Sequence, residues 1–308
     1  MSNIRPLTPL LAKRAQEELG EVPERIDADI QQLREWIQKQ PHLTARTDDQ
    51  FLVAFLRGCK YSIEKAKHKL DNYYATRAAV PELYKNRFVN DAAIEILRSG
   101  VYLPLPKPVS PDGPRIHIAR YGVFDINKYS LSDVLKVRTM LSEIQFREDD
   151  NAIVMGFMEV IDFKGLTASH VLHFNVVLVK KLVVLGDKAF PYRPKGLHFI
   201  NVPSSCEKAL NIAKSLLSDK IKQRFHVHSD FESLYKYIPK ECLPAECGGS
   251  NGTIETGTKE WEKKLLSYKD YFVEEAKYGT NEKLRRGRPV DSESLFGIDG
   301  SFRKLDID

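Results

Sequence analysis

Apolar residues at helical spacing fill the first third of the chain. Ile26, Ile30, Leu33 and Ile37 recur every three to four positions until Pro41 interrupts them, which predicts an amphipathic helix. Thr47 with Gln50 three residues on reads as a capping box, and Asp48 and Asp49 sit favourably in the first turn. The stripe Phe51, Leu52, Phe55 and Leu56 follows. Ser62 is placed to cap the next helix, in which Ala66, Leu70, Tyr73 and Tyr74 share a face until Pro81 ends it. This part predicts a small helical bundle.

The period changes after a Pro-rich connection at 103–114. Residues 115–121 alternate, and 153–163 is a nearly continuous apolar run, the mark of a strand covered on both faces. Helices are predicted at 131–146 and 167–185. In the latter Val171, Leu172, Phe174, Val176, Leu178, Val179 and Leu182 are apolar almost all round, which predicts deep burial. Leu197, Phe199 and Ile200 make a short strand after Gly196. Residues 203–217 then carry Ala209, Leu210, Ala213, Leu216 and Leu217 at helical spacing, and 225–228 reads as the last strand. Strands alternating with helices predict an α/β domain with a mostly parallel sheet. The division is an all-helical module at 1–98, the α/β domain at 99–252 and a C-terminal segment at 253–308. In that segment Trp261, Leu265, Leu266, Tyr268, Tyr271 and Phe272 suggest a helix packing on the body. Phe296, Ile298, Phe302 and Leu305 are too apolar for an idle tail and are expected to fold back.

Composition narrows the function classes. A chain of 308 residues that is 42% hydrophobic can bury a large core. The net charge of +5 is too diffuse to argue for nucleic acid, yet it suits visits to anionic membrane surfaces if the cations gather on one face. Residues 1–20 lack the apolar core of a signal peptide, no run has the length of a membrane span, and Cys59, Cys206, Cys242 and Cys247 form neither C-x-x-C nor a disulfide pattern. A cytoplasmic protein with reduced thiols is the plain reading.

Catalytic fingerprints are missing. There is no G-x-S-x-G, no G-x-x-x-x-G-K-[ST] and no G-x-G-x-x-G, so no enzymatic activity and no cofactor are predicted. His170 with His173, and His226 with His228, would each share a face, but no third ligand is placed by sequence; surface or core-edge histidines are the better reading, and no metal is predicted.

Two further features carry chemistry. Alternation along 153–163 puts Ile153, Met155, Phe157, Glu159 and Ile161 on one face, with Glu159 the odd polar member. A glutamate so placed ordinarily reaches solvent or pairs with a cation. Arg193 and Lys195 precede the strand at 197–200, while Lys220 and Arg224, four apart, would share a helix face and grip one anionic group. On spacing alone the plainer reading is that these are solvated cations. Arg285, Arg286 and Arg288 read as a solvated linker, or as added attraction to anionic lipid.

The segment Phe190-Pro191-x-Arg193, Ile200-Asn201-Val202-Pro203 and the run Lys220, Arg224, His228 resembles the CRAL-TRIO lipid-binding family. Asp49-Gln50-Phe51-Leu52 through Phe55-Leu56-Arg57 looks like that family's N-terminal helical module, and Leu243-Pro244 with Gly248-Gly249 looks like its closing signature. The likeness covers most of 30–250 and is nearest to the α-tocopherol-transfer and retinaldehyde-binding branch. It implies a ligand pocket lined by Phe157, Glu159, Ile161, Phe174, Leu178, Leu185, Leu197 and Phe199, with Glu159 available to a ligand hydroxyl. It implies a lid helix with Leu210, Ala213 and Leu217 on its lipid face. Opening such a lid in water exposes apolar surface at roughly 25 cal/mol per Å², so a bilayer is needed to make it cheap. In this branch basic residues at the positions of Arg193, Lys195, Lys220 and Arg224 bind phosphoinositide headgroups. The branch also has an arginine where this chain has Cys59, with Lys60 beside it.

What the resemblance implies is a monomeric cytoplasmic carrier of a retinoid, tocopherol or similar hydrophobic lipid. It would touch membranes transiently and release cargo where phosphoinositides are present. Two alternatives remain open: phospholipid exchange, for which Glu159 and Thr139 are the only headgroup candidates, and a phosphoinositide-sensing interaction module that is no carrier.

Overall fold

The computed structural model describes residues 2–173 and 176–296. Phe174, assigned above to the pocket, and the tail at 297–308, expected to fold back, lie outside them.

Helix α1 (Pro9–Arg14) begins with Thr8 accepting from the Leu11 amide and runs through a wider turn to Gly20. Its Leu11, Ala15 and Leu19 are buried against Val154 and Met155. Helix α2 (Ile26–Gln38) buries Ile26, Ile30, Leu33 and Ile37 as the spacing predicted. After β1 (Leu43–Thr44), α3 (Asp49–Gly58) is capped by Asp48 rather than Thr47. Asp48 holds the extended backbone that a cap needs, and its carboxylate accepts from the Phe51 amide at 3.1 Å. Ser62 precedes α4 (Ile63–Ala79) with a cap-like backbone but no side-chain cap bond, and α5 (Pro81–Tyr84) and α6 (Asp91–Arg98) complete the helical part.

The α/β part opens with β2 (Tyr102–Pro104) and β3 (Arg115–Arg120). Helix α7 (Leu131–Glu148) starts at a reciprocal capping box between Ser130 and Asp133. The run 153–163 is not one strand. Asp149 caps α8 (Asp150–Met155), Gly156 at φ +80° breaks the chain, and only β4 (Phe157–Asp162) is extended. Next come α9 (Ala168–His173), α10 (Val176–Val184) and β5 (Pro194–Ile200). The predicted deep burial of 167–185 fails: Leu172 is 82% exposed, and Val171, Val179 and Leu182 are only half-buried. The physical reason is position: Leu178, Val184 and Leu185 reach the core, while another side of α10 borders α11 (Glu207–Ser215).

Helix α12 (Asp219–Lys222) stops before Arg224, so Lys220 and Arg224 do not share one helix face. Strand β6 (Phe225–Val227), α13 (Phe231–Tyr235), α14 (Ile254–Ser267), α15 (Lys269–Glu275), β7 (Gly279–Thr280) and α16 (Ser292–Phe296) follow. The five-stranded sheet has the order β2-β3-β4-β5-β6; β2 is antiparallel to β3 and the other pairings are parallel. β1 pairs with β7. One sheet face buries Ile116, Ile118, Val160 and Ile200 against Leu234, Ile238, Leu243 and Ile254.

Charged groups join the helical part to the rest. Glu143 of α7 accepts from Arg77 at 2.9 Å and Arg87 at 2.5 Å, and Arg77 also reaches Glu275 of α15 at 2.5 Å. These side chains are buried, so removing one partner strands a charge. Arg285 is likewise no solvated linker residue: it is paired with Asp71 and Glu282 and largely covered. Arg57 in the FLR stretch is buried and bonded to Glu21 at 2.8 Å.

Candidate functional site

The sheet face opposite α13 carries two rows set by register. His117, Glu159, Leu197 and Phe225 lie side by side across β3 to β6, and one step along are Ala119, Ile161, Phe199 and Val227. The first row grades from polar at β3 and β4 to apolar at β5 and β6, and the second is apolar throughout. Phe199 stacks on Phe225 at 4.3 Å, and Phe163 meets Phe199 at 6.1 Å. Leu178 and Leu185 belong to the same apolar cluster as Ile161 and Phe199. Yet Phe157 and Leu197, on internal strands where side chains are normally enclosed, are only half-buried. Between α11 and the edge strand β6 a cleft of about 530 Å³ opens, lined by Val202, Leu210, Asn211, Lys214, Phe225 and Val227 among others.

Glu159 is paired. Its Oε2 accepts from Arg138 of α7 at 2.7 Å, and Arg138 also donates to the Tyr121 hydroxyl at 2.7 Å and lies 4.8 Å over the Tyr102 ring. Glu159 Oε1 is buried with no hydrogen-bond partner. The ordinary fate of a buried glutamate therefore holds for one oxygen only. Sequence reasoning missed Arg138, although a signal existed: the α7 stripe Leu131, Val134, Leu135 and Leu141 has Arg138 where an apolar residue is due. The Thr139 hydroxyl donates to the Lys136 carbonyl at 2.7 Å and lies 3.4 Å from the Leu83 carbonyl of α5.

Helix α11 buries none of its residues; Leu210 and, beyond its end, Leu217 pack half-buried against the core cluster, Ala213 is half-buried, and Ile212 is 44% exposed.

The cations split by role. The guanidinium of Arg193 donates to the Val154 carbonyl and that of Arg224 to the Pro194 carbonyl, so both serve the backbone. Lys195 lies 3.8 Å from Glu18. Burial lowers the Lys195 pKa, and so do Arg193, Arg224 and Lys60, against the opposing pull of Glu18. Burial lowers the Arg193 pKa as well, with Arg224 adding to it and Glu18 resisting. Four cations thus crowd one partly covered spot, among them Lys60, the residue beside the departing Cys59. Lys220 is exposed on α12.

The histidines divide differently from the sequence pairs. His170 is buried, its Nε2 3.1 Å from the Phe124 carbonyl, while His173 is exposed. His226 and His228 gather around His198, whose Nδ1 is 3.0 Å from His228 Nε2. Burial, then His226 and His228, hold the His198 pKa down at about 3. Among the described residues no group of three or more His, Cys, Asp or Glu is placed to hold a metal. All four cysteines are free and buried.

Residues 103–249 match the model described as CRAL/TRIO domain, and residues 22–94 match one described as Pinta-like, UBA domain. Human Alpha-tocopherol transfer protein-like is 33% identical over 271 residues, covering 87% of this chain and 78% of that protein. Clavesin-1 of Xenopus laevis is 28% identical over 84% of this chain and 78% of its own, and Clavesin-2 of Rattus norvegicus 27% identical over 93% and 87%. The solved structure of Sfh5 aligns at a TM-score of 0.49 and 14% identity, over 88% of this chain and 99% of its own.

Proposed function

The chain belongs to the CRAL/TRIO domain family of lipid-binding and lipid-transfer proteins, and on that premise we propose that it carries a single hydrophobic lipid of retinoid, tocopherol or related kind. The observation that carries this reading is the unfilled apolar row. Phe157 and Leu197 are half-buried on internal strands, and the rows of Leu197 and Phe199 run out to Phe225 and Val227 at the cleft beside α11. A hydrocarbon laid there covers apolar surface at about 25 cal/mol per Å². Phe157, Glu159, Ile161, Leu178, Leu185, Leu197 and Phe199 line the cargo in this reading, and Leu210, Ala213 and Leu217 close over it.

Release occurs at a phosphoinositide-containing membrane. Lys60 and Lys195, with Arg193 and Arg224 behind them, supply the local positive potential, and Lys220 adds to it. Crowded cations with lowered pKa values favour a bound phosphate, which relieves their repulsion. The protein works as a cytoplasmic carrier, not a catalyst, with transient membrane contact; among the described residues no helix is long and apolar enough to cross a membrane.

Native mass spectrometry of the protein purified from its own tissue, followed by organic extraction, tests the reading. A stoichiometric isoprenoid or retinoid is expected. A bound phospholipid would replace the cargo with that of an exchange protein, and a clean apo mass would favour the phosphoinositide-sensing module.

A further inference from the structure

We infer that Arg138 and Glu159 form a polar anchor for the hydroxyl of a lipid alcohol, which enters head first and leaves its hydrocarbon along Leu197 and Phe225 toward the cleft beside α11. The inference rests on the carrier reading and names the chemistry of its cargo.

Glu159 Oε1 is buried without a partner, while Oε2 is held by Arg138. A lone carboxylate oxygen kept from water is unfavourable, and a donor brought in by a ligand satisfies it. Access comes from Arg138, whose side chain keeps 27% of its surface accessible although it sits between α7 and the sheet, against 3% for Glu159. Across the register Glu159 neighbours half-buried Leu197, and Leu197 in turn neighbours Phe225, which lines the cleft. A hydroxyl both donates and accepts: it donates a hydrogen bond to Glu159 Oε1 and accepts one from an Arg138 N–H. An aldehyde or ester accepts only and leaves Oε1 unpaired. A fatty acid brings a second carboxylate against Glu159.

The test uses delipidated full-length protein and radiolabelled lipid partitioning from phosphatidylcholine vesicles, with retinol against retinal and α-tocopherol against its acetate. For a pair that binds, the alcohol should be held at least about tenfold more tightly. In Glu159→Gln the amide oxygen stays on Arg138 and the NH2 group takes the place of Oε1. The preference should then fall to within about twofold or reverse toward the carbonyl partner. Equal affinity in the native protein, or an unchanged preference in the variant, overturns the anchor and leaves the carrier standing. Failure of the native protein to take up any of the four lipids overturns the carrier reading and the anchor with it. If the glutamine variant does not fold, Arg138→Met with Glu159→Leu removes both charges together, and loss of the preference with retained binding is the expected result; a surviving preference overturns the anchor.

Discussion

Gly58 is pressed against Pro191: a β-carbon on Gly58 would overlap the Pro191 carbonyl oxygen and come within 2.6 Å of the Pro191 Cβ. This contact seats the end of α3 on the segment leading into β5. It brings Lys60, far away in sequence, close enough to Lys195 to help Arg193 and Arg224 lower that lysine's affinity for a proton. Gly58→Val should therefore part the two segments, at a cost of about 1–3 kcal/mol in denaturant titration. It should also weaken binding to phosphoinositide vesicles, because the cations separate. Native stability in the valine variant would show that the two segments are not held together here.

How far the chain could be read in advance depends on what each pattern encodes. Helix α2 was legible because Ile26, Ile30, Leu33 and Ile37 pack on one side only, so their spacing is the spacing of burial. The run 153–163 misled because apolarity alone does not separate a buried strand from a buried helical turn; Asp149 and Gly156 decide it. Helices at 167–185 misled for the opposite reason, since Leu172 is apolar and exposed, and periodicity registers composition without knowing what lies opposite. The alternation that paired Phe157, Glu159 and Ile161 survives within β4, but the partner of Glu159 comes from α7, and a contact across 21 positions has no local signature. The same holds for His198 and His228, 30 positions apart.

Charge and fold can be separated at the basic spot. Lys60 has φ +53°, a left-handed conformation that asparagine accepts more readily than most residues. Lys60→Asn should keep the turn while removing the charge, and Lys195→Gln does the same on β5. Each should lower affinity for phosphoinositide vesicles about fivefold, from roughly 1 kcal/mol per basic residue near the surface, with the loss shrinking in high salt. Arg193→Gln should instead lower the thermal midpoint, since its guanidinium serves the Val154 carbonyl. Vesicle binding that ignores both lysines would remove this spot from the membrane contact.

Acidification should destabilise the fold before the carboxylates titrate. His198 is fully buried, and its pKa falls from 6.5 to about 3, through burial first and then His226 and His228. The unfolded chain takes up that proton near pH 6.5 while the native state refuses it. Stability is thus complete above about pH 6.5 and declines as pH drops toward 3, by about 1.4 kcal/mol per pH unit for each such histidine. His117 behaves alike: burial and then Arg138 hold its pKa at about 3. Urea titrations should give a slope from these two residues that steepens as pH falls from 7 and nears two protons only by about pH 5, and His198→Phe should reduce it there by about one. An unchanged slope in the variant would show that His198 is not kept neutral by folding.

Exposed apolar residues on α9 and α11 give the last prediction. Leu172 is 82% and Ile212 44% exposed, and neither supports the core. Leucine and isoleucine at such positions gain nothing in water, but each inserted into a bilayer contributes about 1.5–3 kcal/mol. Leu172→Glu and Ile212→Glu should leave stability within about 0.5 kcal/mol of the parent and reduce vesicle binding roughly tenfold each, as flotation would read it. Leu210→Glu is the contrasting case. Its side chain packs half-buried against the core cluster, so a carboxylate there should loosen α11 and speed cargo loss to acceptor vesicles even where the membrane holds no phosphoinositide. If glutamate at Leu172 or Ile212 left vesicle binding untouched, α9 and α11 would not be the surface that meets the bilayer, and the cleft beside β6 would have to open toward it by another face.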